Sequence, residues 1–168
     1  QNSIVHIGVS NSIRTWTLFD FDASVDVFAN VGCRGIDGAL SAAIGASFLD
    51  TSRLTYCMLG DLTFFYDINS LGNRDIKSNL RILLINNNGG GIFKLNGAPG
   101  HTFFGDNTTD QYIAAAGHFG NKSETLVKHY SEDLGFEYIS ASDKQSFEDA
   151  MLKFTSDSFI ICPIIPSN

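Results

Sequence analysis

The sequence predicts a doubly wound α/β fold: a mostly parallel, six-stranded sheet with helices on both faces. Two observations carry this. Short aliphatic runs alternate along the chain with segments whose apolar residues recur at helical spacing. The runs themselves are nearly continuous in aliphatic residues, as in strands covered on both faces. Open sheets of this kind take ligands beyond the carboxyl ends of their strands.

Strands are expected at Val5–Val9, Val25–Phe28, Leu54–Leu59, Leu80–Ile85, Phe136–Ser140 and Phe159–Ile165. Between the second and third, Ile36, Leu40, Ile44 and Phe48 recur every four residues and predict a helix. Phe64, Phe65, Ile68, Leu71 and Ile76 make a second apolar face, and Phe147, Met151 and Phe154 a third. Ser142 and Gln145 match a capping box ahead of that third helix. The stretch from Gly89 to Thr109 is glycine-rich and aperiodic, and reads as a long functional loop. No internal repeat or linker divides the chain, so residues 1–168 read as a single domain.

The 168 residues suffice for one domain with a real core, and 43% hydrophobic with 17% charged residues is an ordinary globular balance. A net charge of -7 argues against nucleic acid as a partner. It leaves room for an anionic ligand held by backbone amides. No apolar run approaches the roughly 20 residues of a membrane span, and the start "QNSIVHIGVSN" has no signal-peptide pattern. That start also lacks an initiator Met, which points to a fragment. Cys33, Cys57 and Cys162 are odd in number and without CxxC pairing, and read as reduced thiols of a cytoplasmic protein, buried at Cys57 and Cys162. His101, His118 and His129 have no metal-ligand spacing, and His6 falls on a strand; all four read as structural or exposed.

Two strand ends hold the chemistry. One aliphatic run ends at Gly60-Asp61, a helix follows, and the next run ends at Asn86-Asn87. Parallel strands joined by one crossover would bring these ends about 5 Å apart if adjacent, about twice that if one strand intervenes. A carboxylate, an amide oxygen and a backbone carbonyl would converge there, a hard-oxygen set suited to Mg²⁺ bridging to phosphates. The Gly60–Thr63 turn opens a helix whose N–H groups suit a phosphate, and Gly89, Gly90 and Gly91 let a ligand approach the backbone. Each feature alone is also ordinary turn chemistry.

Gly60-Asp61 followed after one crossover by Asn86-Asn87 resembles the thiamin diphosphate motif, with Leu62 where that motif has a third glycine. "SNS" at Ser10–Ser12, "RGIDGALS" at Arg34–Ser41, "GDLTFFYDINSL" at Gly60–Leu71 and "NNNGGGIF" at Asn86–Phe93 resemble the carboxy-terminal diphosphate-binding domain of the 2-succinyl-5-enolpyruvyl-6-hydroxy-3-cyclohexene-1-carboxylate synthase family of menaquinone biosynthesis. The resemblance implies thiamin diphosphate and Mg²⁺ (or Mn²⁺) as cofactors. It implies metal ligands at Asp61, Asn87 and the Gly89 carbonyl, and cofactor contacts at Ser12, Gly60, Leu62, Thr63, Gly90 and Gly91. Ile36 would prop the cofactor in its bent form, against a plain reading as helix core. Ile92 and Phe93, otherwise core-like, would line the substrate side.

That family decarboxylates 2-oxoglutarate and adds the resulting carbanion equivalent to isochorismate. Both substrates carry carboxylates, so arginines are the natural recognition groups. Here the chain departs from the family pattern. The arginine expected four residues after Ser12 is Trp16, with Arg14 nearby, and the one expected after Asn30 is Val31, with Arg34 beyond. Arg14 and Arg34 are the candidate substitutes. The resemblance further implies a separate pyrimidine-binding domain, contributed by a second subunit of a homodimer or homotetramer, that supplies the activating glutamate; no catalytic residue is expected in this chain. Two alternatives stay open: another thiamin diphosphate-dependent 2-oxoacid synthase or decarboxylase, and a non-catalytic α/β module for some other phosphate ligand. The absence of G-x-G-x-x-G after the first strand weighs against the latter.

Overall fold

A computed structural model describes residues 2–87, 89–112, 123–156 and 160–164. Asn88, His118, Phe159 and Ile165 lie outside the described residues, as does the side chain of Cys162. The strands are β1 (Ile4–Ile7), β2 (Asp26–Ala29), β3 (Thr55–Gly60), β4 (Leu80–Ile85), β5 (Glu137–Tyr138) and β6 (Ile160–Ile164). The helices are α1 (Asn11–Trp16), α2 (Ala39–Leu49), α3 (Asp61–Tyr66), α4 (Pro99–Tyr112), α5 (Leu126–Asp133) and α6 (Lys144–Ser156), with 3₁₀ turns at Ile68–Gly72 and Gly91–Lys94.

Every strand pairing is parallel, in the order β2-β1-β3-β4-β6-β5. The doubly wound parallel architecture expected from the sequence is the one observed. Cys57, Leu59, Leu80, Ile82 and Leu84 point to one face, where Leu40, Ala43 and Ile44 of α2, Phe64 and Phe65 of α3 and Val127 of α5 pack on them. Tyr56, Met58 and Leu83 point to the other, against Trp16 of α1 and Phe147, Ala150, Met151 and Phe154 of α6. This period-two division of aliphatic strands between two helical layers explains why β1 and β4 are buried along nearly their whole length and read as nearly continuous apolar runs, interrupted only by His6 and Arg81. At one edge β2 is mostly exposed and is tied in by Arg53, which bonds Asp26 Oδ2 at 2.7 Å and the Ser3 carbonyl at 2.9 Å.

The strand order places the topological switch between β1 and β3. From β1 the chain crosses to the edge strand β2, then returns to the other side of β1 and continues outward to β4. The loops leaving β1 and β3 therefore diverge and open a crevice at the carboxyl edge.

Several expectations shift. Ile36 lies outside α2, which begins at Ala39 after a left-handed Gly38 (φ 76°), because the fourfold spacing runs one turn further than the helix does. The second apolar segment splits into α3 and the 3₁₀ turn, leaving Ile76 in irregular chain. The expected strand at Phe136–Ser140 shortens to Glu137–Tyr138 at the sheet edge. The cap of α6 is one residue later than read: Asp143 Oδ1 accepts from Ser146 N at 2.9 Å and Ser146 Oγ from Asp143 N at 3.2 Å, while Gln145 donates to Asp149 instead. The expected loop from Gly89 to Thr109 is largely helical. Pro99 opens α4, as suits a residue without an N–H, and the helix kinks at Gly105, whose φ of 67° only glycine adopts readily.

Candidate functional site

A cavity of about 900 Å³ opens where the ends of β1, β3 and β4 meet, and the switch-point crevice is its floor. Four separated segments line it: Val9–Thr15 after β1, Val31 and Arg34–Ile36 after β2, Gly60–Thr63 after β3, and Ile85, Asn87 and Gly89–Phe93 after β4. Each sequence-predicted site residue lies on this lining: Ser12, Arg14, Arg34, Ile36, Gly60, Asp61, Leu62, Thr63, Asn87, Gly89, Gly90, Gly91, Ile92 and Phe93.

The two strand ends are immediate neighbours. β3 and β4 pair directly, with Gly60 opposite Ile85, so Asp61 and Asn86-Asn87 leave adjacent strands at one level. Asp61 is buried, and its carboxylate spans the gap: Oδ1 accepts from the Leu62 amide at 2.8 Å and Oδ2 from the Gly89 amide at 3.0 Å. The Leu62 N–H is thus engaged by its neighbour's side chain. The Gly89 carbonyl accepts from Gly91 N at 3.2 Å and keeps a second lone pair. Asn87 is exposed to the cavity, whereas Ser12 and Thr63 are buried in its wall. Asn86, read with Asn87 as one motif, is not on the lining; its Oδ1 is buried and unpartnered.

Cationic groups on the lining are Arg14 and Arg34, both on the β1 and β2 side, across from the glycines after β4. Arg34 has φ 55° and Ser10 has φ 73°, so two of the non-glycine residues with positive φ border this cavity. Such backbone is held only where its surroundings over-determine it, and it clusters at functional sites. Among the described residues no three His, Cys, Asp or Glu side chains gather as a metal cluster. A cation here would be held by one carboxylate and neutral oxygen donors.

Away from the cavity, two buried titratable groups sit on the central strands. Cys57 is fully buried on β3, and burial pushes its thiol far up. His6 is buried on β1, and the loss of solvent pulls its pKa below the ordinary histidine value. Cys33 is exposed and free. Asn11 is one of several lining residues that sequence reasoning left without a role, although "SNS" contained it.

Residues 8–161 match the family described as thiamine pyrophosphate enzyme, C-terminal TPP binding domain. The chain belongs to this family. The TPP-binding domain thus accounts for nearly the whole chain, and its cofactor is thiamin diphosphate (thiamine pyrophosphate). Curated relatives are named 2-succinyl-5-enolpyruvyl-6-hydroxy-3-cyclohexene-1-carboxylate synthase. One from Christiangramia forsetii is 37% identical over 158 residues, covering 94% of this chain and 26% of the relative. One from Bacteroides fragilis is 36% identical over 161 residues, covering 96% and 27%. One from Desulfotalea psychrophila reaches 48% over 92 residues, covering 55% and 17%. The chain spans about a quarter of the length of the first two. Among the described residues no helix is long and apolar enough to cross a membrane.

Proposed function

We propose that this chain is the Mg²⁺–thiamin diphosphate-binding domain of a synthase that decarboxylates 2-oxoglutarate and joins the remaining carbon unit to isochorismate, in menaquinone biosynthesis. The observation that carries the reading is the tie between Asp61 and Gly89 across β3 and β4, beside a cavity whose lining includes Gly60, Asp61 and Asn87 of the motif. Bound thiamin diphosphate supplies the chemistry of carbanion stabilisation, and the protein supplies position and electrostatics.

The donor set fits the metal. Asp61, the Asn87 carboxamide oxygen and the Gly89 carbonyl are hard oxygens, and so small a set leaves octahedral positions for diphosphate oxygens and water. Mn²⁺ would use the same donors. Gly90 and Gly91, with no side chains, admit the diphosphate against the backbone. Ser12, Gly60, Leu62 and Thr63 close its other sides, and Ile36, on the irregular chain before α2, supports the cofactor's bend. Arg14 and Arg34 then face the carboxylates of the substrates, with Ile92 and Phe93 forming the apolar side.

Nothing on the described lining supplies a glutamate. We assign that role to a pyrimidine-binding domain of the same enzyme, from a second subunit of a homodimer or homotetramer, in the cytoplasm. Calorimetric titration of the full-length polypeptide with thiamin diphosphate tests the site: binding should require Mg²⁺ or Mn²⁺. Assay with 2-oxoglutarate and isochorismate tests the reaction. Binding indifferent to metal would overturn the first reading, and turnover of other 2-oxoacids with none of this pair would overturn the second.

A further inference from the structure

α3 has a carboxylate at each end, and each accepts a backbone amide from a different loop. Asp61 opens the helix and holds the Gly89 amide of the turn after β4. Asp67, the residue that ends the helix, reaches the other way. Its Oδ2 accepts the Ser41 amide of α2 at 2.6 Å, across 26 positions of chain. Asp61 has a place in the proposed site. Asp67 has none, and it is not on the cavity lining.

An anion at this point does not serve its own helix. The last turn of a helix presents carbonyl oxygens, and a carboxylate there is disfavoured. Nor does the Asp67 side chain cap the 3₁₀ turn that it precedes. Its fit is to α2. That helix starts after Gly38, which has no side chain to cap with, and its first turn holds no acidic residue. Asp67 supplies from outside the anionic acceptor that the first N–H groups of α2 lack within their own segment.

The start of α2 is also the end of the loop that leaves β2, and Val31, Arg34, Gly35 and Ile36 of that loop line the cavity. Asn30 Nδ2 donates to the Gly38 carbonyl at 3.3 Å and joins the two ends of the loop. Arg34 and Gly38 within it are left-handed, with φ 55° and 76°. Backbone of this kind keeps its shape where its surroundings hold it. The Asp67 bond holds the exit of the loop against α3. The loop after β2 and the turn after β4 are thus both tied to one six-residue helix.

We propose that Asp67 is a positioning residue for the cofactor: by capping α2 from the end of α3, it sets how far the loop carrying Ile36 advances into the cavity. This rests on the thiamin diphosphate reading of the cavity. In that reading the diphosphate is held mainly by the turns after β3 and β4, which the Asp67 bond does not touch. The thiamin part leans on Ile36, whose loop the bond anchors. Asp67 therefore acts on one end of the ligand and not on the other.

The test is calorimetry on the full-length polypeptide that carries this chain, with thiamin diphosphate and separately with inorganic diphosphate, both in Mg²⁺ and well below the melting temperature of each variant. Losing a hydrogen bond to a charged group is worth about a factor of ten or more. Asp67→Ala should weaken thiamin diphosphate by about tenfold and leave inorganic diphosphate at the wild-type affinity. Asp67→Asn keeps an acceptor oxygen and the side-chain shape, so it guards against an alanine variant that fails to fold. It loses only the charge at the helix start, and should weaken thiamin diphosphate about two- to fivefold, again sparing inorganic diphosphate. Equal losses for both ligands would overturn the proposal, because Asp67 would then support the fold as a whole. Wild-type affinity for thiamin diphosphate in both variants, with Asp61→Ala failing to bind, would overturn it and leave the site reading standing. Absence of binding by the wild-type protein would overturn the site reading and this inference with it.

Discussion

Asp61 Oδ2 accepts the Gly89 amide at 3.0 Å, a bond between residues 28 positions apart that clamps the turn after β3 to the turn after β4. With Oδ1 holding the Leu62 amide, one buried carboxylate fixes the geometry of both turns. Asp61 is therefore a structural tie as well as a metal ligand in our reading, and substitutions there should separate the two roles.

Asp61→Ala in the full-length enzyme should abolish Mg²⁺-dependent binding of thiamin diphosphate and leave two N–H groups without their acceptor. Each such loss costs about 1–3 kcal/mol. The protein should fold with a lowered melting temperature. Asp61→Asn keeps an oxygen for one of the donors and should recover part of the stability without recovering metal-dependent binding. Undiminished cofactor affinity in both variants would remove Asp61 from the site.

The nearness of the two turns was legible in advance because each sits at the end of an aliphatic run and one crossover fixes their relative position, whereas the hydrogen bond between Asp61 and Gly89 was not. What stayed open was whether another strand intervened, and the direct pairing of Gly60 with Ile85 answers that. The place of Asn11 on the cavity lining was not legible. It depends on α1, a six-residue helix too short to show a period, and on a positive φ at Ser10 that a serine does not advertise. Likewise α4 carries no apolar stripe. Side-chain-to-backbone bonds such as Thr102 Oγ1 to the Ala98 carbonyl and Thr109 Oγ1 to the Gly100 carbonyl support it, and hydrophobic spacing is silent about those.

Arg34 is the sharper of the two arginine candidates, since it holds positive φ on the cavity wall. Arg34→Ala in the full-length enzyme should raise KM for a carboxylate substrate more than tenfold, as loss of a charge-assisted hydrogen bond costs about 1.5–3 kcal/mol. Steady-state kinetics with each substrate varied in turn will identify which carboxylate it holds. Wild-type kinetics would return Arg34 to the solvated surface.

Asn79 offers a stability prediction remote from the cavity. Its buried carboxamide donates to the carbonyls of Ser47 at 3.0 Å, Arg53 at 3.1 Å and Asp50 at 3.4 Å, closing the end of α2 onto the start of β3. Asn79→Ala should destabilise by about 1–3 kcal/mol, read from the urea midpoint, with thiamin diphosphate affinity unchanged. Loss of affinity without loss of stability would contradict this division.

His6 should make stability fall in mild acid. Burial on β1 depresses its folded pKa below the unfolded value of 6.5, so the unfolded chain binds the proton more readily. Where the unfolded state holds more protons, stability rises with pH. The contribution is therefore complete above about pH 6.5 and is lost as pH drops toward the folded pKa. Urea midpoints measured between pH 7.5 and pH 5 in wild type and His6→Leu should diverge, with the variant showing the weaker dependence. Parallel curves would mean that carboxylates alone set the acid limit.

The last prediction concerns what the chain does by itself. Asp61 is the one carboxylate on the described cavity lining, and it is held by two backbone amides and committed, in our reading, to the metal. Glu124, Glu132, Glu137 and Glu148 are exposed and stand on the turn before α5, on α5, on the edge strand β5 and on α6, none of them on the lining. In the reading proposed above, the general acid that reaches the aminopyrimidine end of the cofactor comes from another domain. Residues 1–168 expressed alone should bind thiamin diphosphate with Mg²⁺ weakly, since the diphosphate end is cradled while the ring end stays in water. Turnover of 2-oxoglutarate with isochorismate should be undetectable. Supplying the remainder of the enzyme in trans should restore some turnover, and a glutamate-to-glutamine change in that remainder should abolish it again. A rate for residues 1–168 alone near that of the intact enzyme would show that the site is complete within them.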